Sequence, residues 1–333
     1  MKAVFIALLL FINTTVFAEI LPSTHFKSVQ VFINEMVQIH GFNKSELQFI
    51  FSKIQLKKVD KSTQKKSTTT TRSAEKMSWK KYQSIFVTKD RIDSGVIFWQ
   101  NNKQTLSNAE KKYGVPSAII VAILGIETNY GKVQGKYPTL KTLIGKVFGA
   151  SSRRNFYRKE LESFLLLARE NTLPPLAIKG SSAGALGYAQ FIPSSYRYYA
   201  VDFDNDFRVD LFNNTHDAIG SIANYLAQHD WQKDGEIAEV IELDKTQLSL
   251  AQAKISKPTK NAQYWRELGL DIDNTISDDA KLAFIRLHDD QSMQTWLTFW
   301  NFYAITRYNH DNRYAMTVYQ LSAQLKQAFT STI

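Results

Sequence analysis

The residue that most invites chemistry is Glu127. Tyr113-Gly114-Val115-Pro116-Ser117 opens a helix, with Pro116 acceptable in its first turn, and the body AIIVAILGIETNYG runs to Gly131, a natural stop. On a 3.6-residue period Ile120, Ile123, Leu124 and Glu127 fall at i, i+3, i+4 and i+7 and share one face. The rest of that face is apolar. A carboxylate projecting from it either pairs with a cation or has its pKa raised by desolvation. A raised pKa is what a general acid needs to hold a proton near neutrality. The competing reading is a glutamate at the end of a buried face that reaches solvent or caps a neighbour, and periodicity alone leaves both open.

A second segment, KGSSAGALGYAQFIPSSY from Lys179 to Tyr196, suits a ligand groove. Gly180, Gly184 and Gly187 allow close backbone approach. Tyr188, Gln190 and Phe191 set an amide beside aromatic rings, so sugar faces can stack while hydroxyls are hydrogen-bonded. A tight helix-packing turn has the same composition. A third segment, Asp202-Phe203-Asp204-Asn205-Asp206-Phe207-Arg208, begins like a calcium loop with carboxylates at positions 1, 3 and 5. Position 6 is Phe207 where glycine is expected, and position 12 is Asn213 where glutamate is expected.

The elements that must hold these residues are mainly α-helical. Val29, Phe32, Ile33 and Met36 keep helical spacing in residues 25–56, and Trp79, Tyr82, Ile85 and Phe86 repeat it. Residues 236–290 are acidic on balance and include an alternating stretch, Ile237 to Leu243, that reads as a strand. They are expected to form a small inserted α+β subdomain. Residues 293–329 return to an aromatic helical pattern through Trp296, Phe299, Trp300 and Tyr303, then Tyr314, Val318, Leu321 and Leu325. The expected division is an N-terminal helical region over 19–78, a core over 79–235, the subdomain over 236–290, and helices over 291–333 that complete the groove.

Composition narrows the partners. The 333 residues are 44% hydrophobic and 22% charged, which excludes a disordered tail or a membrane bundle. A net charge of +10 favours an anionic partner, and residues 57–76, with seven basic and two acidic side chains, supply half of it as a solvated loop. There is no cysteine, so disulfides, thiolate metal sites, cysteine nucleophiles and an N-terminal lipid anchor are all excluded. Lys2, the apolar run Ala3 to Ile12 and the small-residue exit at Ala18 describe a secretory signal peptide over 1–18. Export makes nucleic acid an improbable partner, and no binding module for it is evident.

Four segments together carry a resemblance: GIETNYG, KGSSAGALGYAQFIPSSY, DLFNNTHDAIGSIANYL and NFYAITRYNHDNRYAMTVYQL. In order and spacing they resemble the lytic murein transglycosylase B family, whose members cleave peptidoglycan glycan strands. The resemblance spans roughly Trp79 to Tyr319. It implies a lysozyme-like helical core and an enzyme cutting the β-1,4 bond between N-acetylmuramic acid and N-acetylglucosamine. The glutamate matching Glu127 would protonate the glycosidic oxygen, then take the proton of the muramic C6 hydroxyl as that oxygen closes a 1,6-anhydro ring. Glycosidases ordinarily use two carboxylates. An internal nucleophile, reacting at high effective concentration, removes the need for the second. A hydrolytic muramidase and a noncatalytic peptidoglycan-binding protein are the alternatives.

By the same resemblance, the groove is lined by Arg153, Arg154, Ser181, Gln190, Phe191, Tyr225, Tyr308, Asn309 and Tyr314, with Tyr82 as a weaker match. The two arginines would meet substrate carboxylates. Asp202, Asp204 and Asp206, closed by Asp217, would hold a structural calcium, and no cofactor is required. The expected setting is periplasmic, for a monomer that is not a lipoprotein and that contacts the envelope peripherally, with glycan strands as partner.

Overall fold

The computed structural model describes residues 23–54, 77–149, 151–290 and 292–331. The signal segment 1–18 and the basic stretch 57–76 lie outside the described residues. The described chain is mainly helical and divides into two compact units. One takes residues 23–54 and 137–178; the other takes 77–136 and 179–331. Residues 137–178 therefore group with the N-terminal helices and interrupt the continuous 79–235 segment expected as core.

The first unit contains α1 (Ser23–His40), α2 (Lys44–Ser52), α7 (Thr139–Phe148) and α8 (Arg154–Glu170). Val29, Phe32, Ile33 and Met36, spaced for one face of α1, are all buried. The Phe32 ring meets Phe51 of α2 at 6.0 Å and Phe148 of α7 at 6.4 Å. Asn43 caps α2 by accepting from the Glu46 amide at 3.0 Å.

The second unit is built around α6 (Ser117–Thr128), whose residues from Ser117 to Gly125 are all buried. A helix apolar on every side must be enclosed on every side. Around it lie α4 (Lys89–Asn101), α5 (Lys103–Tyr113), α10 (Thr215–Ala227) and the final helix α13 (Asn312–Thr330). α3 (Trp79–Phe86), α9 (Pro193–Tyr199) and α12 (Trp300–Tyr308) complete the helical part. Pro116 stands just before α6 as its N-cap residue and has no side chain to cap with. Glu110 of α5 does that work, accepting from the Ser117 amide at 2.9 Å and its hydroxyl at 2.6 Å.

The helix stops earlier than the glycine suggested. Asn129, Tyr130 and Gly131 have φ of 49°, 60° and 87°, so three successive left-handed residues turn the chain after Thr128. Tyr130 is wedged back between α4 and α6. Its hydroxyl donates to the Arg91 carbonyl at 2.9 Å, and its ring stacks on Phe98 at 5.6 Å. The wedge fits because Gly95 and Gly125 carry no side chain: a Cβ at Gly125 would stand 2.6 Å from the Tyr130 hydroxyl.

The strand read in 237–243 is β1 (Ala238–Val240), one edge of a four-stranded antiparallel sheet. It is joined by β2 (Lys260–Asn261), β3 (Lys281–His288) and β4 (Met293–Thr298), in the order β1-β4-β3-β2. Ala283 of β3 pairs with Thr298, which also pairs with Ala238. The helical reading of 293–298 is thus corrected. Trp296 lies on β4, paired between Ile285 and Val240, and the helix begins only at Trp300. Cross-strand pairing on both sides of β4 outweighs the aromatic spacing. The subdomain has its own apolar cluster, including Leu270, Ile272, Leu282, Phe284 and Leu297, with α11 (Ala262–Glu267) packed on it. No helix among the described residues is long and apolar enough to cross a membrane.

Candidate active site

Glu127 sits one residue before the end of α6, where the buried helix first opens to solvent. It is partly buried, and desolvation pushes its carboxyl from an ordinary 4.5 up to about 7. The Tyr314 hydroxyl donates to Glu127 Oε1 at 2.7 Å and acts the opposite way, favouring the charged form. Neither influence comes from a second carboxylate. Of the two readings of Glu127, the arrangement matches a carboxyl held protonated by burial.

Tyr314 is buried in the first turn of α13, and the packing of that helix on α6 sets the contact. The Tyr308 and Tyr314 rings stack at 6.4 Å, nearly parallel. Tyr308 donates its hydroxyl to the Ala189 carbonyl at 2.6 Å, and Tyr225 donates to the Arg307 carbonyl at 2.6 Å. Phe191, buried, meets Tyr225 at 5.5 Å and Tyr308 at 5.7 Å. Glu127, Tyr314, Tyr308, Phe191 and Tyr225 therefore form one connected site from four distant stretches of chain. Burial raises the phenols of Tyr308, Tyr314 and Tyr225, so all three remain neutral donors at any ordinary pH.

The loop around Gln190 is held from both sides. Gln190 adopts φ 48° and its amide donates to the carbonyls of Gln134 and Gly187, each at 3.0 Å. Gly187, at φ 63°, could not carry a side chain, because a Cβ would meet the Leu211 carbonyl at 2.2 Å. Ser181 is a turn former here: its hydroxyl accepts from the amides of Ala183 at 3.2 Å and Ala185 at 3.0 Å. Asn309 is exposed at the end of α12. Tyr82 stacks on Trp79 and lies under the Arg313 guanidinium at 4.8 Å. Its phenol, pushed up to about 12 by burial first, also feels Asp311 and Glu127.

Arg153 and Arg154 belong to the first unit, at the start of α8. The Arg153 guanidinium lies 4.1 Å from the Phe156 ring centre, and Arg154 donates to the Gly149 carbonyl at 3.2 Å. Sequence reasoning missed Tyr199, which meets Tyr225 edge-on at 4.6 Å, and His229, which stacks on it at 4.2 Å; both extend the aromatic wall. The i, i+4 spacing of Tyr225 and His229 at the end of α10 was the signal for them.

The acidic loop is partly as expected. Carboxylate oxygens of Asp202, Asp204 and Asp217 lie within 4.8 Å of one another. Asp206 is not among them, because it turns away to accept from the Arg208 amide at 2.9 Å. Asp217 is fully buried and receives the amides of Phe203 and Asp210, each at 2.8 Å. Phe207 takes the glycine position at φ 68° with its side chain 96% exposed. Three close carboxylates with hard oxygen donors fit a calcium ion in kind.

Comparison with known proteins identifies the family. Residues 25–323 match the family described as the transglycosylase SLT domain. The chain belongs to that family. It is 38% identical over 308 residues to the membrane-bound lytic murein transglycosylase B of Escherichia coli (strain K12), covering 88% of this chain and 81% of that protein. The crystal structure of soluble lytic transglycosylase SltB1 from Pseudomonas aeruginosa matches with TM-score 0.80 and 37% identity, over 90% of this chain and 99% of that one. The Escherichia coli lytic transglycosylase Slt35, solved in complex with calcium, matches with TM-score 0.79 and 36% identity, over 91% and 93%. The mainly helical fold is the lysozyme-like one of lytic transglycosylases, and the chain is an enzyme of that class, which cleaves peptidoglycan.

Proposed function

We propose that Glu127 is the single proton-transferring carboxylate of this lytic transglycosylase, and that its product carries a 1,6-anhydro-muramic end. The supporting observation is the carboxyl lifted to about 7 beside a neutral Tyr314 donor. At neutral pH an appreciable fraction of Glu127 is protonated and able to protonate the oxygen between N-acetylmuramic acid and N-acetylglucosamine. As the C1–O bond breaks, Glu127 becomes a carboxylate, and the Tyr314 hydrogen bond stabilises that charge. The same carboxylate then removes the C6 hydroxyl proton while the C6 oxygen bonds to C1. The proton lost in the first half is regained in the second, and no water is consumed. The substrate's N-acetyl group would assist at C1 in place of a second carboxylate.

Phe191, Tyr225 and Tyr308 would stack on sugar faces, with Gln190, Ser181, Asn309 and Tyr82 as further groove contacts. Arg153 and Arg154 would receive carboxylates of the glycan's lactyl or peptide groups. Asp202, Asp204 and Asp217 would hold a structural calcium, as the complex of the related Slt35 suggests. Such an ion would tie the loop 202–210 to α10 and take no part in proton transfer. The enzyme would act in the periplasm as a monomer, exported by the 1–18 segment. Replacing Glu127 with Gln tests the core of the reading: glycan cleavage should stop while glycan binding persists. Cleavage at the parent rate would refute it.

A further inference from the structure

The four-stranded sheet leaves β1 without a strand on its outer side. The ladder between β1 and β4 fixes which backbone groups face outward. The Ile241 amide donates to the Thr295 carbonyl at 3.2 Å, and the Phe299 amide donates to the Ile237 carbonyl at 3.0 Å. In that register the odd-numbered residues bond to β4, so the N–H and C=O of Val240 and Glu242 point away from it. Ala238 is turned outward too but is buried, so the open edge begins at Val240, which is 70% exposed. Among the described residues, none bonds the outward backbone groups of Val240 and Glu242.

Beside this edge runs a groove of about 710 Å³, with Val240, Leu243, Leu248, Met293 and Trp296 on its apolar wall. Its one charged lining residue is Glu242. The surrounding chain is acidic: 236–244 carries Glu236, Glu239, Glu242 and Asp244 and no basic side chain, in a protein of net charge +10. Burial first, then the charges of Glu236 and Asp273, raise the Glu239 carboxyl, so these carboxylates stand within reach of one another. Sheet edges are commonly blunted with lysine or proline. This one has neither. A second copy of the chain is excluded by charge, because pairing edge to edge would set Glu239 and Glu242 against their own counterparts. A cationic strand meets no such penalty.

We infer that this edge takes an extended segment of a partner protein that carries both basic and apolar side chains. Its backbone would lengthen the sheet by bonding to Val240 and Glu242. Its apolar side chains would enter the groove, and its cations would meet Glu239 and Glu242, which strand alternation sets on opposite faces. From Val240 to Leu243 the edge spans about 13 Å, room for about four residues of extended chain.

The probe is a blocked, labelled peptide alternating valine and lysine, titrated into the full-length protein and followed by fluorescence anisotropy. Val240→Pro removes an outward N–H yet leaves the ladder to β4 whole, since a sheet edge accepts proline there. It should weaken the probe about tenfold. Glu242→Lys should weaken it about fivefold and improve binding of the valine–glutamate analogue. N-methylating alternate residues of the probe should abolish binding in one register and spare it in the other, which a purely ionic contact would not do. Thermal melting and glycan cleavage at the parent level identify the variants that fold. The inference is overturned if the probe fails to bind the parent, or if folded Val240→Pro binds it as well as the parent does. Equal binding by the two N-methylated probes overturns it independently of any variant. Self-association of the parent that Val240→Pro abolishes would also overturn it, making a second copy the occupant.

Discussion

In the proposed mechanism one carboxyl group, that of Glu127, carries the chemistry, and its environment sets two opposing influences on it. Burial holds the proton on Glu127, while Tyr314 eases its departure. Removing the phenol in Tyr314→Phe therefore raises the Glu127 pKa further. On the proposed reading the acid step needs the protonated form, so the parent's activity should fall as pH rises through about 7. In Tyr314→Phe that falling limb should move to higher pH, with a lower maximum rate because the carboxylate formed during reaction loses its donor. A pH–rate profile of both proteins checks the direction. Stability carries the same signature. Glu127 ionises near 4.5 in the unfolded chain and near 7 in the fold, so the folded state alone keeps the proton between those values. Its contribution is intact below pH 4.5 and is lost as pH rises toward 7. Glu127→Gln should thus be more stable than the parent above pH 7, by about 2 kcal/mol after discounting for partial hydration, and no more stable below pH 4.5. Urea melts at pH 4 and pH 8 measure the difference.

At the scale of elements, the turn that ends α6 aims the carboxylate. Gly131, at φ 87°, passes against the Tyr188 ring so closely that a Cβ would stand 1.9 Å from it. Its amide donates to Thr128 Oγ1 at 3.0 Å, and that hydroxyl donates to the Tyr188 carbonyl at 3.2 Å. Gly131→Ala should cost about 2 kcal/mol of stability and lower turnover as well, because the strain falls one turn from Glu127. Denaturant melts and glycan release on the same preparation would show both. Much of this was legible in the sequence: periodicity put Glu127 on an apolar face, and the Gly-rich segment marked the loop that carries Gln190 and Phe191. Other elements were not legible, for identifiable reasons. Trp296 fits a helical spacing as well as a strand, and only pairing with Ile285 and Val240 decides it. Asn129 and Tyr130 turn left-handed before the glycine arrives, since the Tyr130 hydroxyl gains a partner in Arg91 by doing so. The grouping of 137–178 with α1 and α2 depends on contacts far apart in sequence, which no local pattern encodes.

For the whole molecule, the loop at Asp202, Asp204 and Asp217 predicts a link between calcium and stability. Added calcium should raise the melting temperature by about 5 °C at saturating concentration, and Asp217→Asn should abolish the rise. A chelator should lower the melting temperature yet leave the rate per folded molecule unchanged below it, as the ion lies outside the proton path. The positive net charge of the chain suits a carboxylate-rich polymer. The central claim concerns the fate of the C6 hydroxyl. Digestion of purified sacculi, with the released muropeptides weighed by mass spectrometry, reads it directly. The expected products end in 1,6-anhydro-muramic acid, lighter than the reducing form by one water, and are absent when Glu127 is Gln. Reducing ends from the parent enzyme would contradict the account and make it a muramidase.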